Sequence, residues 1–160
     1  MSKTIHTPSI WRDEFAALAE PHHPSAKRLL AFWENRPADG LVVGRDFPSR
    51  VIADLLSYLT LWEPTQAGSD FRVRLAGAAV CRRFGRDVKG ALFSELFSAD
   101  DFRHHFEETR ELMQTGKAKV VESRLFDGNV QRLHQEVVIL PVLAPNRIDQ
   151  WVVVGIFYFD

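Results

Sequence analysis

The stretch Asp70–Gly90, DFRVRLAGAAVCRRFGRDVKG, decides the fold. Its first half alternates. Phe71, Val73 and Leu75 fall on one side and Arg72 and Arg74 on the other, which is the period of a half-buried strand. Gly77 breaks the alternation. Residues 78–84 then read as a short helix, and Gly85 is placed to end it, because glycine enters the left-handed conformation at little cost. Gly90 closes the segment with a second turn. The stretch is a strand handed to a helix across a glycine.

Upstream, residues 58–62 read as a first strand, joined to the stretch by a turn over 64–69 that contains Gly68. Residues 41–43 stay open between strand and loop, and 46–50 form a loop leading to a short helix over 51–57. Two helices are expected before that. Thr7 caps the first and Pro8 opens it. Ile10 or Trp11, Phe15 and Leu18 recur at helical spacing, and Pro21 ends it. The second follows Pro24, with Ser25 as its cap, a broad apolar face of Leu29, Leu30, Phe32 and Trp33, and a stop at Pro37 and Asp39-Gly40.

Downstream, Leu92, Phe93, Leu96 and Phe97 suggest one or two helical turns. Ser98 with Asp101 marks a helix start. Phe102, Phe106, Thr109 and Met113 share one face of the helix that follows, and Gly116 stops it. Three strands finish the chain: 119–126, 130–140 after an Asp-Gly turn, with Pro141 where pairing ends, and 151–159. Trp151, Val153, Phe157 and Phe159 face one side of the last strand; Val152, Val154, Ile156 and Tyr158 face the other. Both faces are apolar and need cover, from the helices between strands two and three on one side and from the N-terminal helices, a second subunit, or both on the other.

The composition excludes several classes. The chain has 160 residues, no membrane-length apolar run and no secretory signal, so a cytosolic, bacterial-type protein is expected. One cysteine, Cys81, excludes an internal disulfide and a cysteine-rich zinc site. A formal net charge of −1 gives no pull toward nucleic acid or anionic membrane. The basic residues Arg72, Arg74, Arg82, Arg83, Arg86 and Lys89 read as a solvated strand face and helix surface. No metal-ligand spacing, nucleophile elbow or phosphate loop is present. The element order gives an α+β fold, a five-stranded antiparallel sheet with helices on one face, preceded by two N-terminal helices. Residues 1–40 form a helical extension and 41–160 the main domain.

This order resembles the PAS sensor-domain superfamily. More narrowly, it is similar to small bacterial PAS-like proteins through Asp70, Phe71, Arg72, Arg74, Leu75 and Gly77, then Arg83, Phe84, Gly85, Arg86, Asp87 and Gly90. Gly44-Arg45-Asp46, Pro48-Ser49-Arg50 and Leu140-Pro141-Val142 fit the same family. The resemblance covers about residues 41–159 and implies a non-catalytic sensory, ligand-binding or docking module. The photosensory flavin cysteine would fall at Ala91, Leu92 or Phe93, where none stands. Haem held by a histidine of the long helix, His105, is the cofactor alternative; otherwise the cofactor is unknown.

In this layout a ligand pocket lies between helices and sheet, walled by Phe71, Val73, Leu75, Phe84, Phe102, Phe106, Val121 and Leu125, with His105 beside them. The same residues also describe a filled core. Arg86 and Asp87 form the motif turn, as a local ion pair or a recognition feature. The expected partners are a second copy of the chain, an unidentified signalling protein and a small molecule. The expected interface comprises Trp11, Phe15, Phe32, Trp33, Val152, Val154, Ile156 and Tyr158. A small enzyme using His105 or His134 as general base is the remaining alternative.

Overall fold

The computed structural model describes residues 12–159. Its strands are β1 (Arg12–Leu18), β2 (Leu59–Pro64), β3 (Phe71–Ala76), β4 (Lys119–Asp127), β5 (Val130–Leu143) and β6 (Gln150–Tyr158). They form one antiparallel sheet in the order β1-β4-β5-β6-β2-β3. The helices are α1 (Pro24–Glu34), α2 (Ala78–Phe84), α3 (Phe93–Leu96) and α4 (Ala99–Thr115), with a 3-10 helix over Arg50–Tyr58. The α+β layout and the five expected strands are present, and the sheet has a sixth.

That sixth strand stands where the first helix was expected. Phe15 and Leu18 lie on β1, which pairs with β4 from Arg12 opposite Phe126 to Leu18 opposite Val120. Their spacing suits a helix, but the open edge of β4 offers a full row of backbone partners, and pairing satisfies them. Thr7, Pro8, Ile10 and Trp11 lie outside the described residues. The second expected helix forms as α1, with a different cap. Pro24 occupies its first turn, so the capping role falls to His23, whose Nδ1 accepts from the Ser25 backbone N–H at 3.1 Å.

Helices cover both faces of the sheet. On the front, Val80 of α2, Phe93 of α3 and Leu112 of α4 pack with Trp62, Phe71, Val73, Val121, Ile139 and Val152. On the back, Ala26, Leu29 and Trp33 of α1 and Ile52 and Leu55 of the 3-10 helix pack on Leu61, Val138, Leu140, Val153 and Phe157. The two-sided last strand is thus covered on its second face by α1.

The sheet is longer than expected at Pro141, which sits inside β5 opposite Val152. On that side β4 ends at Lys119, opposite Ile139, and residues 41–43 take over only at Leu143, so Pro141 sits in the gap, where a residue without an N–H is tolerated. The freed Pro141 carbonyl accepts from Trp33 Nε1 at 2.8 Å, which ties α1 to the strand.

Two close approaches set the frame. Gly77, between β3 and α2, lies against the Leu56 and Ser57 carbonyls, and a Cβ there would collide with both. Its glycine is required by contact, whereas Gly85 ends α2 by adopting φ 71°. The second approach is electrostatic. Glu136, fully buried in β5, accepts from His22 N–H at 2.9 and 3.1 Å and from His23 N–H at 2.8 Å. Glu136→Gln keeps one acceptor oxygen for the two N–H groups and sets an amide NH2 beside the His22 N–H. It should lower the unfolding free energy in urea by about 2 kcal/mol without changing the far-ultraviolet circular dichroism spectrum.

Candidate functional site

Residues paired directly across antiparallel strands share a face. On the helix-covered front, one such rung runs Phe15–Ser123–Gln135–Tyr158 across β1, β4, β5 and β6. Ser123 is 1% exposed and Gln135 7%. The next rung, Ala17–Val121–Val137–Ile156, is wholly apolar. The rung on the other side, Asp13–Leu125–Leu133, is apolar apart from Asp13. A polar band therefore crosses one end of the front core.

Charged groups converge on this band. Ser123 Oγ donates to Asp13 Oδ1 at 3.0 Å. Burial pushes the Asp13 carboxyl up to about 6, against the lowering effect of the Ser123 hydrogen bond. Asp101 adds to the rise, while Arg83 and His104 oppose it. Burial also pushes the Tyr158 phenol up. Arg83, in the last turn of α2, lies over the Tyr158 ring with Cζ 5.4 Å from its centroid. Among the described residues, Arg83 Nη1 and Gln135 Oε1 are buried without a hydrogen-bond partner. Arg83 thus departs from the solvated surface expected of its basic neighbours, because α2 lays it on the sheet.

The long helix closes the band from above. His105 packs against Phe97 at 4.5 Å and Phe15 at 6.0 Å between ring centroids, and burial lowers its pKa. His104 stacks on Phe15 at 4.6 Å. His104, His105 and Glu108 bring three possible metal-ligand atoms within 4.8 Å of one another. Lys119 Nζ already stands 3.1 Å from Glu108 Oε2 and supplies the positive charge that a metal ion would bring.

The expected pocket wall is a packed cluster. Phe71, Val73, Phe84, Phe102 and Phe106 belong to one core. Phe71 meets Phe106 at 5.6 Å, and Phe102 meets Phe106 at the same distance. Val121 lies in this core; Leu75 is 39% exposed, near the free end of the alternation, and Leu125 is buried opposite Asp13. In the motif turn, Asp87 accepts from the Lys89 N–H at 3.0 Å and from Cys81 Sγ at 3.8 Å. No Arg86–Asp87 ion pair forms among the described residues, so the carboxylate holds the turn through backbone and thiol instead.

Other expected residues are separated. His134 lies on β5 in alternation with Glu136 and Val138, hence on the back face, where it stacks on Phe159 at 4.2 Å. The sheet stands between it and His105. Of the expected interface, Trp33 and Val152 are buried within the chain's own two cores, so neither has a surface to offer. Val154, Ile156 and Tyr158 are half-buried on the front, Phe32 is half-buried on α1, and Phe15 is 37% exposed. Trp11 lies outside the described residues. A separate open groove of about 680 Å³ on the α1 side is lined by Arg28, Phe32, Arg45 and Val51. Arg28 there is paired with Asp54, and Arg45 with Asp39 and Asp46.

Sequence reading missed Asp13, Ser123, Gln135 and the inward turn of Arg83. The available signal was a polar residue at an inward position of a strand: Ser123 between Val121 and Leu125, and Gln135 between Leu133 and Val137.

A family described as PAS domain matches residues 21–158, and the chain belongs to it. No curated protein and no solved structure matches the chain significantly.

The Asp13 environment has a consequence for stability. A carboxyl raised from 3.8 to about 6 contributes stability that is complete below 3.8 and is lost as pH rises through about 6. Asp13→Asn keeps the Ser123 contact and removes the charge. Thermal unfolding should place the variant level with the parent near pH ~4 and above it at pH ~7, by no more than about 1 kcal/mol because the group is partly solvated.

Proposed function

We propose that this PAS domain is a non-catalytic sensory module that reads its signal at the polar band and reports it through β1, docking as a homodimer. PAS domains in general are sensory and signalling modules, and the chain's membership rests on nearly its whole length. Among the described residues, no helix is long and apolar enough to cross a membrane.

The observation that carries the reading is the position of β1. One of its faces supplies Asp13 and Phe15 to the polar band. Its outer edge is the end of the sheet, where it has no backbone partner among the described residues. The opposite end is closed: the Val73 N–H donates to the Ala91 carbonyl at 2.9 Å, and the Gly90 N–H to the Val73 carbonyl at 2.8 Å. An open edge is a template for a strand of a second chain. The same element therefore touches the sensing centre and the docking surface. Phe15, Ala16 and Ala17 are exposed on it.

Sedimentation equilibrium on the full chain tests the docking step. A concentration-dependent dimer is expected, weakened at least about tenfold by Phe15→Glu and by Ala16→Lys, both of which put charge on the edge. Tryptophan fluorescence checks that each variant stays folded. A monomer at every concentration up to about 0.5 mM, roughly five-hundredfold above a micromolar Kd, overturns the homodimer.

A further inference from the structure

We propose that one face of α4 binds a divalent transition-metal ion of the zinc class, with His104, His105 and Glu108 as its three protein ligands. The site goes beyond the sensory reading and does not depend on it.

Three donor side chains converge there. Residues three and four apart share a helix face, so His104 and His105 both lie one turn from Glu108. One nitrogen from each ring and one Glu108 oxygen fall within 4.8 Å of one another, and His104 Nε2 is 3.9 Å from Glu108 Oε2. Zinc holds such atoms at about 2.0–2.2 Å, which sets neighbouring ligand atoms roughly 3.4 Å apart. The donors have only to draw in by about 1 Å, and side-chain torsions supply that without leaving their rotamer wells.

Adjacent histidines leave a helix about 100° apart, so their spacing alone does not announce a shared ligand. Aromatic contacts turn the two rings together. His104 stacks on Phe15 at 4.6 Å, and His105 meets Phe15 at 6.0 Å and Phe97 at 4.5 Å between ring centroids. The nitrogens stay uncommitted. At 3.9 Å His104 and Glu108 are too far apart for a hydrogen bond. Among the described residues, the His105 carbonyl accepts from Thr109 Oγ1 at 2.7 Å, but no hydrogen bond reaches a nitrogen of its ring. Oriented imidazoles with free nitrogens are what a metal site requires.

Charge favours a cation. Asp101 stands one turn before the histidines on the same face and adds a second carboxylate to the stripe. Lys119 Nζ, 3.1 Å from Glu108 Oε2, is the present counter-charge. Its side chain is 38% exposed, and a flexible stem lets the ammonium turn to water when a metal takes its place. Metal and lysine therefore compete for one carboxylate. Two imidazoles and a carboxylate suit zinc and its first-row neighbours, whereas magnesium and calcium prefer oxygen ligands alone. His104, 43% exposed, leaves the site open to solvent, so the fourth position of a tetrahedral ion falls to water.

Zinc chloride titrated into the full chain by calorimetry should bind one-to-one with a Kd below about 10 µM, and magnesium should not bind at that level. His104→Asn and Glu108→Gln should each weaken zinc at least about tenfold, with circular dichroism confirming the fold. Lys119→Gln removes the competitor and should tighten zinc at least about threefold, a gain that a purely structural Lys119–Glu108 pair would not produce. Histidine-ring NMR should show His104 and His105 shifting with zinc. No zinc binding at about 100 µM, magnesium matching zinc, an affinity indifferent to any of the three substitutions, or shifts confined to His22, His23 and His134 overturns the proposal. Zinc binding that meets these tests upholds the site even where the chain stays monomeric.

Discussion

A buried carboxylate in the middle of the sheet organises the molecule. Glu136 is held deep in the protein by the backbone N–H groups of His22 and His23, and the exposed His22 ring brings its Nδ1 to 3.7 Å from Oε2. Such an arrangement satisfies the charge only while those two peptides stay in place. They form the corner between β1 and α1. Fixing that corner sends β1 back along the sheet edge and α1 across the back face. His23 carries the constraint further: its Nδ1 caps α1, and its Nε2 lies 3.0 Å from the Tyr158 carbonyl. With Nδ1 accepting, Nε2 is the donor, so one neutral tautomer joins helix, corner and last strand. Leu29 then fits against Gly155, where any side chain would meet Leu29 and Phe157.

From this corner the two faces acquire different tasks. The back is closed by α1 and the 3-10 helix over an apolar surface. The front receives the segment between β3 and β4, which brings an aromatic core and, at one end, the band of Ser123, Gln135, Tyr158 and Arg83. Buried polar groups at the edge of an aromatic core are the usual place where a protein trades stability for recognition. Here the band starts on the strand that also ends the sheet. Under the proposed function, sensing and docking would be properties of neighbouring atoms.

Much of the frame was legible because local chemistry and global fold agree there. Gly85 and Gly116 end α2 and α4 in the left-handed conformation, and Ser98 Oγ accepts from the Asp101 N–H, as their spacing implies. The alternation survives in β3 at Phe71 and Val73, and the register shift opposite Leu61 and Trp62 leaves Leu75 exposed. Legibility failed where a distant partner decides. The segment holding Phe15 and Leu18 has both a helical and an extended reading, and only the free edge of β4 chooses between them. Arg83 resembles its exposed neighbours until α2 is laid on the sheet. Ser123 and Gln135 look like interruptions in apolar strands until the rungs are aligned. The cap of α1 moved because a proline outranks a serine in choosing the first turn.

The pleat of β1 gives it an arithmetic property. Phe15 faces the front band, while Leu18 packs into the back core. Side chains alternate with a period of two, so a slip of one residue along β4 carries every front residue to the back and every back residue to the front. Asp13 would leave Ser123, and Leu18 would leave its core, in the same step. No half-slipped register retains both contacts. Parity makes the strand a two-position element: it is seated in one frame, or it is off the edge.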